Sequence, residues 1–529
     1  MKDFLRRFWR WLLIGGMLTA CSLTQQNEPQ VVYITATPAS LPAALPQNAL
    51  VASPAAAFTP ASNPTPNAPR VASANIPQEH VVQPNDTLYG IALAYGVSVD
   101  SLLAVNQLDD PNTLFVGQSI TLPEAPSEYT PAFKILPDSR LVRAPGSAAF
   151  DIAAFVQAQP GYIRVAADDV DTRQADGSTV EERLSAAQIV ERVSLEFSVD
   201  PRVLLALLEY RAGWLTNPAP AEELLTHPLI SKEDAGDRNR EGLYRQLSWA
   251  ADRLNFGYYN WKYNGLSILE FPDEARRLIY DPGINAGTVA VQYFLSQNTG
   301  YTFWLAQTAA TGFYQTYVAY FGDPFTDALE PLVPANLTQP EMTLPFAQGE
   351  VWFYTGGWHG GWGSGSAWAA VDFAPPDEPA GVACYTSAFW VRAVAPGLIV
   401  RSDKGVVMLD LDGDGDESTG WTVLYLHIAS EDRVAAGTRV NTGDIIGRAA
   451  CEGGFSTATH LHIGRRYNGE WLPAQCIACS EQYWQSPFTM SGWSVVGIRN
   501  QEYQGFLQNN GEQRVAEQGR FTPDNRISW

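Results

Sequence analysis

Four of the six histidines in this 529-residue chain lie beyond residue 358. Two of them alternate within an apolar stretch, Thr459-His460-Leu461-His462-Ile463. Such alternation reads as a β-strand, in which residues i and i+2 face the same side about 7 Å apart. Two imidazoles on one face can divide labour, one ligating a metal while its neighbour moves a proton. His427 ends a second apolar run, residues 421–428, which pairs with residues 405–409 as a hairpin. His359 lies in a Gly/Ser-rich segment that runs to Asp372, just inside a further strand. Clustered imidazole and carboxylate are the non-thiolate ligand set of zinc. Between the hairpin strands, residues 410–417 form an acidic β-turn; loose calcium binding stays open, although position twelve of an EF-hand loop falls on Trp421 or Val423 rather than Glu.

Further stretches extend this pattern: residues 395–400 (APGLIV), residues 437–447 (GTRVNTGDIIG) and residues 451–463 (CEGGFSTATHLHI). With them, residues 345–475 resemble the β-lytic and staphylolysin-like branch of the lysostaphin-type zinc endopeptidases. Most enzymes of that type carry the first metal-binding histidine four residues before the aspartate, where this chain has Trp368. The β-lytic branch places it further upstream across a Gly/Ser-rich loop, as His359 stands here. The resemblance implies a C-terminal antiparallel β-sheet metallopeptidase domain over residues 345–529. It implies Zn2+ held by His359, Asp372 and His462, with His460 as general base. His427 would stabilise the tetrahedral oxyanion or protonate the leaving amine.

The N-terminus addresses the compartment. Lys2, Arg6, Arg7 and Arg10 precede an apolar run, residues 11–18, too short to span a bilayer. Leu18-Thr19-Ala20-Cys21 resembles a bacterial lipobox. It implies a signal peptide over residues 1–21, a lipid on Cys21, and an extracytoplasmic, membrane-anchored place in the cell envelope. An even four cysteines then remain, enough for two disulfides in an oxidising space. Cys384 with Cys451 and Cys476 with Cys479 is the expected pairing; metal binding by Cys476-Ile-Ala-Cys479 would lack a second pair of ligands. Residues 22–78 are rich in Pro, Ala, Ser and Thr and read as a disordered spacer.

Residues 79–124 give a strand, a helix starting after a cap at Asn85 or Asp86, a second helix and a closing strand. The phrases NDTLYGIALAYGVSVDSLLAVNQL and LFVGQSITLP resemble a LysM domain, a small βααβ unit. The resemblance implies binding to peptidoglycan glycan near Asp86, Thr87 and Asn112. Residues 130–338 read as mainly α-helical, with Asp200-Pro201 capping and opening a helix. The stretch FSVDPRVLLALLEYRAGWL resembles the opening helices of lysozyme-like transglycosylases. The catalytic position aligns with Arg211, however, and Glu209 is turned about 200° away, so a non-catalytic role is expected.

With 56 acidic against 34 basic residues, nucleic acid is excluded as the main partner. The expected whole is multidomain: LysM, helical middle, C-terminal β metallopeptidase. It would be a lipid-anchored zinc endopeptidase cutting stem or cross-bridge peptides of peptidoglycan. The alternatives are a non-catalytic peptidoglycan-binding or regulatory lipoprotein with a degenerate peptidase fold, and a glycan-cleaving lyase in the helical region.

Overall fold

The computed structural model describes residues 79–529 except positions 85, 96, 98, 109–113, 124–125, 237, 272–273, 275 and 520–522. The signal-peptide, lipobox and spacer expectations, with Cys21 and Asn112, lie outside the described residues. No helix among these residues is long and apolar enough to cross a membrane.

The N-terminal βααβ unit pairs strands Glu79–Val81 and Ser119–Thr121 antiparallel beside helices Leu88–Tyr95 and Val99–Asn106, as the LysM resemblance implies. Leu88, Ile91, Leu102 and Ile120 fill its core. The first helix is capped by Thr87, whose Oγ1 accepts from the Gly90 N–H at 2.9 Å. Asp86 cannot take that role, because its carboxylate accepts from Gln83 N at 2.7 Å and meets His80 Nε2 at 2.8 Å.

In the helical region, Ser185 forms a capping box with Gln188 and starts helix Ala186–Phe197. Asp200 accepts from Arg202 N at 2.8 Å and, with Pro201 in the first turn, starts helix Pro201–Ala212. Helix Leu243–Tyr263 is buried along nearly its whole length and packs on Ala286–Ser296. Glu209 accepts from Leu215 N, Thr216 N and Thr216 Oγ1, which ties it to the turn after its helix. A two-stranded hairpin, Ala167–Arg173 with Thr179–Ser185, projects from this region.

The C-terminal part is built on a nine-stranded antiparallel sheet. Its order is Arg439–Val440, Gly397–Asp403, Val406–Asp410, Trp421–Leu426, Leu461–Tyr467, Ala370–Ala374, Trp352–His359 and Arg526–Ile527, with Glu470–Trp471 also on Leu461–Tyr467. Alternation along these strands splits the sheet into two faces. Val406, Met408, Leu424 and Leu426 join the core of the helical region. Val407, Leu409, Val423, Tyr425 and Ile463 face a second core with Val391, Phe488 and Val495. The helical region and the sheet therefore share one continuous apolar interior. A separate four-stranded sheet, Thr489–Met490, Trp493–Ile498, Gln501–Asn509 and Glu512–Val515, extends the β part as the sequence suggests.

Candidate metal centre

Cross-strand register builds the site. Asp372 lies directly opposite His462 on one side and Gly356 on the other, and Leu426 lies opposite His462. Paired residues share a face, so Asp372 and His462 are on the sheet side that the helical region covers. His359 ends its strand, and two register shifts between Tyr354 and His359 turn its ring toward Asp372. Gly356 is needed for close approach, since a Cβ there would lie 2.3 Å from Asp372 Oδ2. The Gly/Ser segment that follows is fixed by the helical region: Asp252 accepts from Gly365 N at 2.7 Å.

Three donors converge. His359 Nε2 and His462 Nδ1 each stand 3.2 Å from Asp372 Oδ1, and 2.9 Å from each other. All three side chains are buried. His359 Nδ1 faces Gly357 O at 2.7 Å and His462 Nε2 faces Gly361 O at 3.2 Å. A carbonyl only accepts, so those nitrogens carry the protons and the two inward nitrogens present lone pairs. Asp372 Oδ1 is buried and accepts no hydrogen bond. Two lone pairs and an orphaned carboxylate oxygen aimed at one point call for a cation. Three ligands at about 2 Å from a tetrahedral zinc stand roughly 3.3 Å apart, close to the separations seen, so the residues fit the metal.

Without a cation, the electrostatics favour positive charge at the same point. Burial resists charging of His359, but the Asp372 carboxylate beside it and the Gly357 carbonyl hold its pKa above the ordinary value. Burial also works against ionised Asp372, yet His359 and His460 keep it well below the carboxylate range. His462 is pushed down by burial.

Two further imidazoles border the centre. His460 Nε2 is 3.7 Å from Asp372 Oδ1, and its Nδ1 donates to Ala458 O at 2.8 Å. His427, in a left-handed conformation with φ 68°, donates from Nδ1 to Glu452 O at 3.1 Å. The two rings are 4.5 Å apart. Burial, then the His460 and His462 rings, push the His427 pKa well below its usual value. A ring with its one proton on Glu452 O offers the cleft a lone pair, not a donor.

Residues beyond the sheet, in the strand Gln501–Asn509, add to the site. Tyr503 stacks on His359, centroids 4.4 Å apart at 21°. Glu502 Oε1 accepts from Gly360 N at 3.3 Å. A Cβ on Gly357 would lie 2.4 Å from Gln504 O, so the Gln501–Asn509 strand presses on the strand that carries His359. The only trace in the sequence is a polar break, Glu502-Tyr503-Gln504-Gly505, within a β-like stretch.

The helical region also reaches the rim. Its hairpin bonds backbone to backbone with the loop behind His427: Cys451 N donates to Ala175 O at 3.2 Å and Gly453 N to Arg173 O at 3.1 Å. Cys384–Cys451 and Cys476–Cys479 are disulfides, the first holding that same loop. In the acidic turn, Asp410, Asp412 and Asp414 bring carboxylates together, but Asp410 already accepts from the N–H groups of Asp412, Gly413 and Gly415. In the LysM unit Asp86 and Thr87 serve the local structure described above.

The antiparallel sheet presents a His–Asp–His cluster on adjacent strands, a set of side chains able to hold a metal ion. Comparison with known proteins supports a metallopeptidase. Residues 381–473 match Peptidase family M23, residues 80–123 match the LysM domain, and residues 134–336 match the family described as LasA, N-terminal domain. Together these support a LysM-containing M23 peptidase. Protease LasA of Pseudomonas aeruginosa is 26% identical over 307 residues, covering 55% of this chain and 68% of the relative. The N-acetylmuramoyl-L-alanine amidase XlyB of Bacillus subtilis is 39% identical over 61 residues, 12% of this chain and 19% of its own. Among solved structures, the M23 metalloprotease pseudoalterin from the deep sea is 25% identical, covering 34% of this chain and 96% of its own, with a TM-score of 0.26. The catalytic domain of lysostaphin from Staphylococcus simulans is 25% identical, covering 26% and 87%, with a TM-score of 0.16.

Proposed function

We propose that this chain is a zinc-dependent endopeptidase of the cell envelope that hydrolyses peptide bonds in peptidoglycan. LysM would concentrate it on the glycan, and a lipid on Cys21 would hold it at a membrane; such tethering raises local substrate concentration without new contacts at the cleft. The observation that carries the reading is the pair of inward lone pairs on His359 and His462 facing the orphaned Asp372 Oδ1. His359, Asp372 and His462 would hold zinc there, and the ion would supply the Lewis acidity that polarises a carbonyl and makes water nucleophilic near neutral pH.

The chain's own groups handle the protons. With its Nδ1 proton on Ala458 O, His460 presents a basic Nε2 toward the centre, placed to take the proton of the attacking water. Both roles expected for His427, oxyanion stabilisation and proton delivery to the leaving amine, call for a proton on its Nε2, which a tautomer shift away from Glu452 O would supply.

The test is metal analysis of the purified chain with mass spectrometry of digested cell wall. About one zinc per chain and new amino groups, both depending on Asp372 and the amines on His460, are expected. New sugar ends instead would move the chemistry to the helical region. Neither product would leave a non-catalytic wall-binding protein.

A further inference from the structure

A cleft of about 260 Å³ opens in the helical region, and its lining shares no residue with the His–Asp centre. Arg211 enters it from the last turn of helix Pro201–Ala212, Asp234 from Lys232–Ala235, and Trp249 from Leu243–Tyr263. His227 also lines it. Other largely buried cations among the described residues have polar partners: Arg401 has Glu417, Arg433 has Glu452, and Arg465 and Arg466 donate to backbone carbonyls. Arg211 is different. Its Nε is buried with no hydrogen-bond partner, and its guanidinium carbon lies 5.8 Å from the centre of the Phe294 ring. Among the described residues no ion pair or hydrogen bond engages it.

Burial lowers the Arg211 pKa, opposed in part by Tyr210 and then by the field of Asp234. A guanidinium does not lose its proton near neutral pH, so this desolvated charge lacks its anion. Asp234 is near enough to be felt, yet forms no ion pair with it. Cation and carboxylate therefore stand apart across one small cleft.

We propose that this cleft binds a small zwitterion of the amino-acid class. Its carboxylate sits on the Arg211 fork, its ammonium group turns to Asp234, and its side chain rests on Trp249. A planar guanidinium matches a carboxylate bidentately. The volume is below the roughly 300–1,000 Å³ of sites for larger ligands, which suits a free amino acid or a dipeptide. A phosphate dianion is the poorer fit, because Asp234 and Glu223 line the same space. The ligand class includes what a peptidase in the cell wall would encounter, but the site stands whether or not the chain cuts peptides.

Calorimetric titration of the full chain, with zinc stripped so that turnover plays no part, tests this. D-Alanine, L-alanine, acetate and inorganic phosphate are the probes. At least one alanine enantiomer should saturate with a Kd of about 1 mM or tighter, and acetate should bind more weakly. Arg211→Gln should weaken alanine binding about tenfold or more. Asp234→Asn should erase the advantage of alanine over acetate while leaving acetate binding in place. If Arg211→Gln fails to fold, Arg211→Lys keeps the charge without the fork and should weaken binding to a smaller degree. Absence of saturable alanine binding, tighter binding of phosphate than of alanine, or unchanged affinity in a folded Arg211 variant would overturn the proposal.

Discussion

Two clusters of buried ionisable groups border the strand Leu461–Tyr467 that carries His462, and they are wired in opposite ways. Where Glu470 meets the helical region, both its oxygens are engaged: Oε2 accepts from Tyr258 at 2.9 Å and Lys262 at 2.8 Å, while Oε1 takes Tyr263 and Lys262. Asp138 adds a second carboxylate 3.6 Å from Lys262, itself held by Asn285 and Gly287. Burial disfavours charged Lys262, yet the Glu470 and Asp138 carboxylates hold its pKa above the ordinary value. At Asp372, also buried, an oxygen is left without a hydrogen bond and two lone pairs face one another. Burial alone does not separate a structural cluster from a functional one; satisfaction does. The first cluster is complete within the chain, and the second is complete only with a cation.

The comparison breaks most visibly at the second cluster. Asp372→Ala should abolish stoichiometric zinc and lower amine release from cell wall by about a thousandfold or more, the several kcal/mol that a Lewis acid supplies. Its fold should survive, because no hydrogen bond to Oδ1 is lost. Glu470→Gln should do the reverse. It leaves Lys262 buried beside a neutral partner and should cost about 3–5 kcal/mol, read from urea unfolding, with zinc content per folded molecule unchanged. Replacing both partners together, Glu470→Leu with Lys262→Met, should recover much of that loss. If Glu470→Gln depleted zinc while Asp372→Ala unfolded the chain, the two clusters would have been assigned the wrong way round.

A subtler break concerns the groups that steady His359. Tyr503 adopts φ 65°, unfavourable for a residue with a side chain. Tyr503→Gly should relieve roughly 1 kcal/mol of backbone strain while weakening zinc binding by about 10–100-fold, the usual effect of losing an outer-shell support. A chelator competition would read the second and thermal unfolding the first. Loss of stability together with unchanged zinc affinity would reduce Tyr503 to packing.

That residue also marks where the sequence stops being informative. The His460-x-His462 alternation, the 405–409 and 421–428 hairpin and the Asp200-Pro201 helix start are local patterns, and local geometry preserves them. The meeting of His359 with Asp372 depends on two register shifts that no period reveals; only the family resemblance pointed there. Tyr503 and Glu502 act across a gap of more than a hundred residues with no metal-ligand signature. Glu470 was equally silent, since its partners come from a helix two hundred residues earlier. Even at short range, Thr87 takes the cap expected at Asn85 or Asp86, with the Asp86 carboxylate engaged by His80 and Gln83 instead.

The smallest expected effect sharpens the contrast between buried and exposed charge. Lys404 pairs with Glu182 of the hairpin that borders the cleft, with side chains 27% and 43% exposed. Water and salt screen such a pair, so Lys404→Gln should change stability by no more than about 1 kcal/mol, and less still in high salt. The hairpin should remain seated, because the backbone bonds from Cys451 and Gly453 to Ala175 and Arg173 do not involve the lysine. Hydrogen exchange at the Cys451 and Gly453 amides reads this directly. Protection that survives Lys404→Gln places the attachment in the backbone ladder, whereas protection lost with the lysine would make the surface charge the clasp.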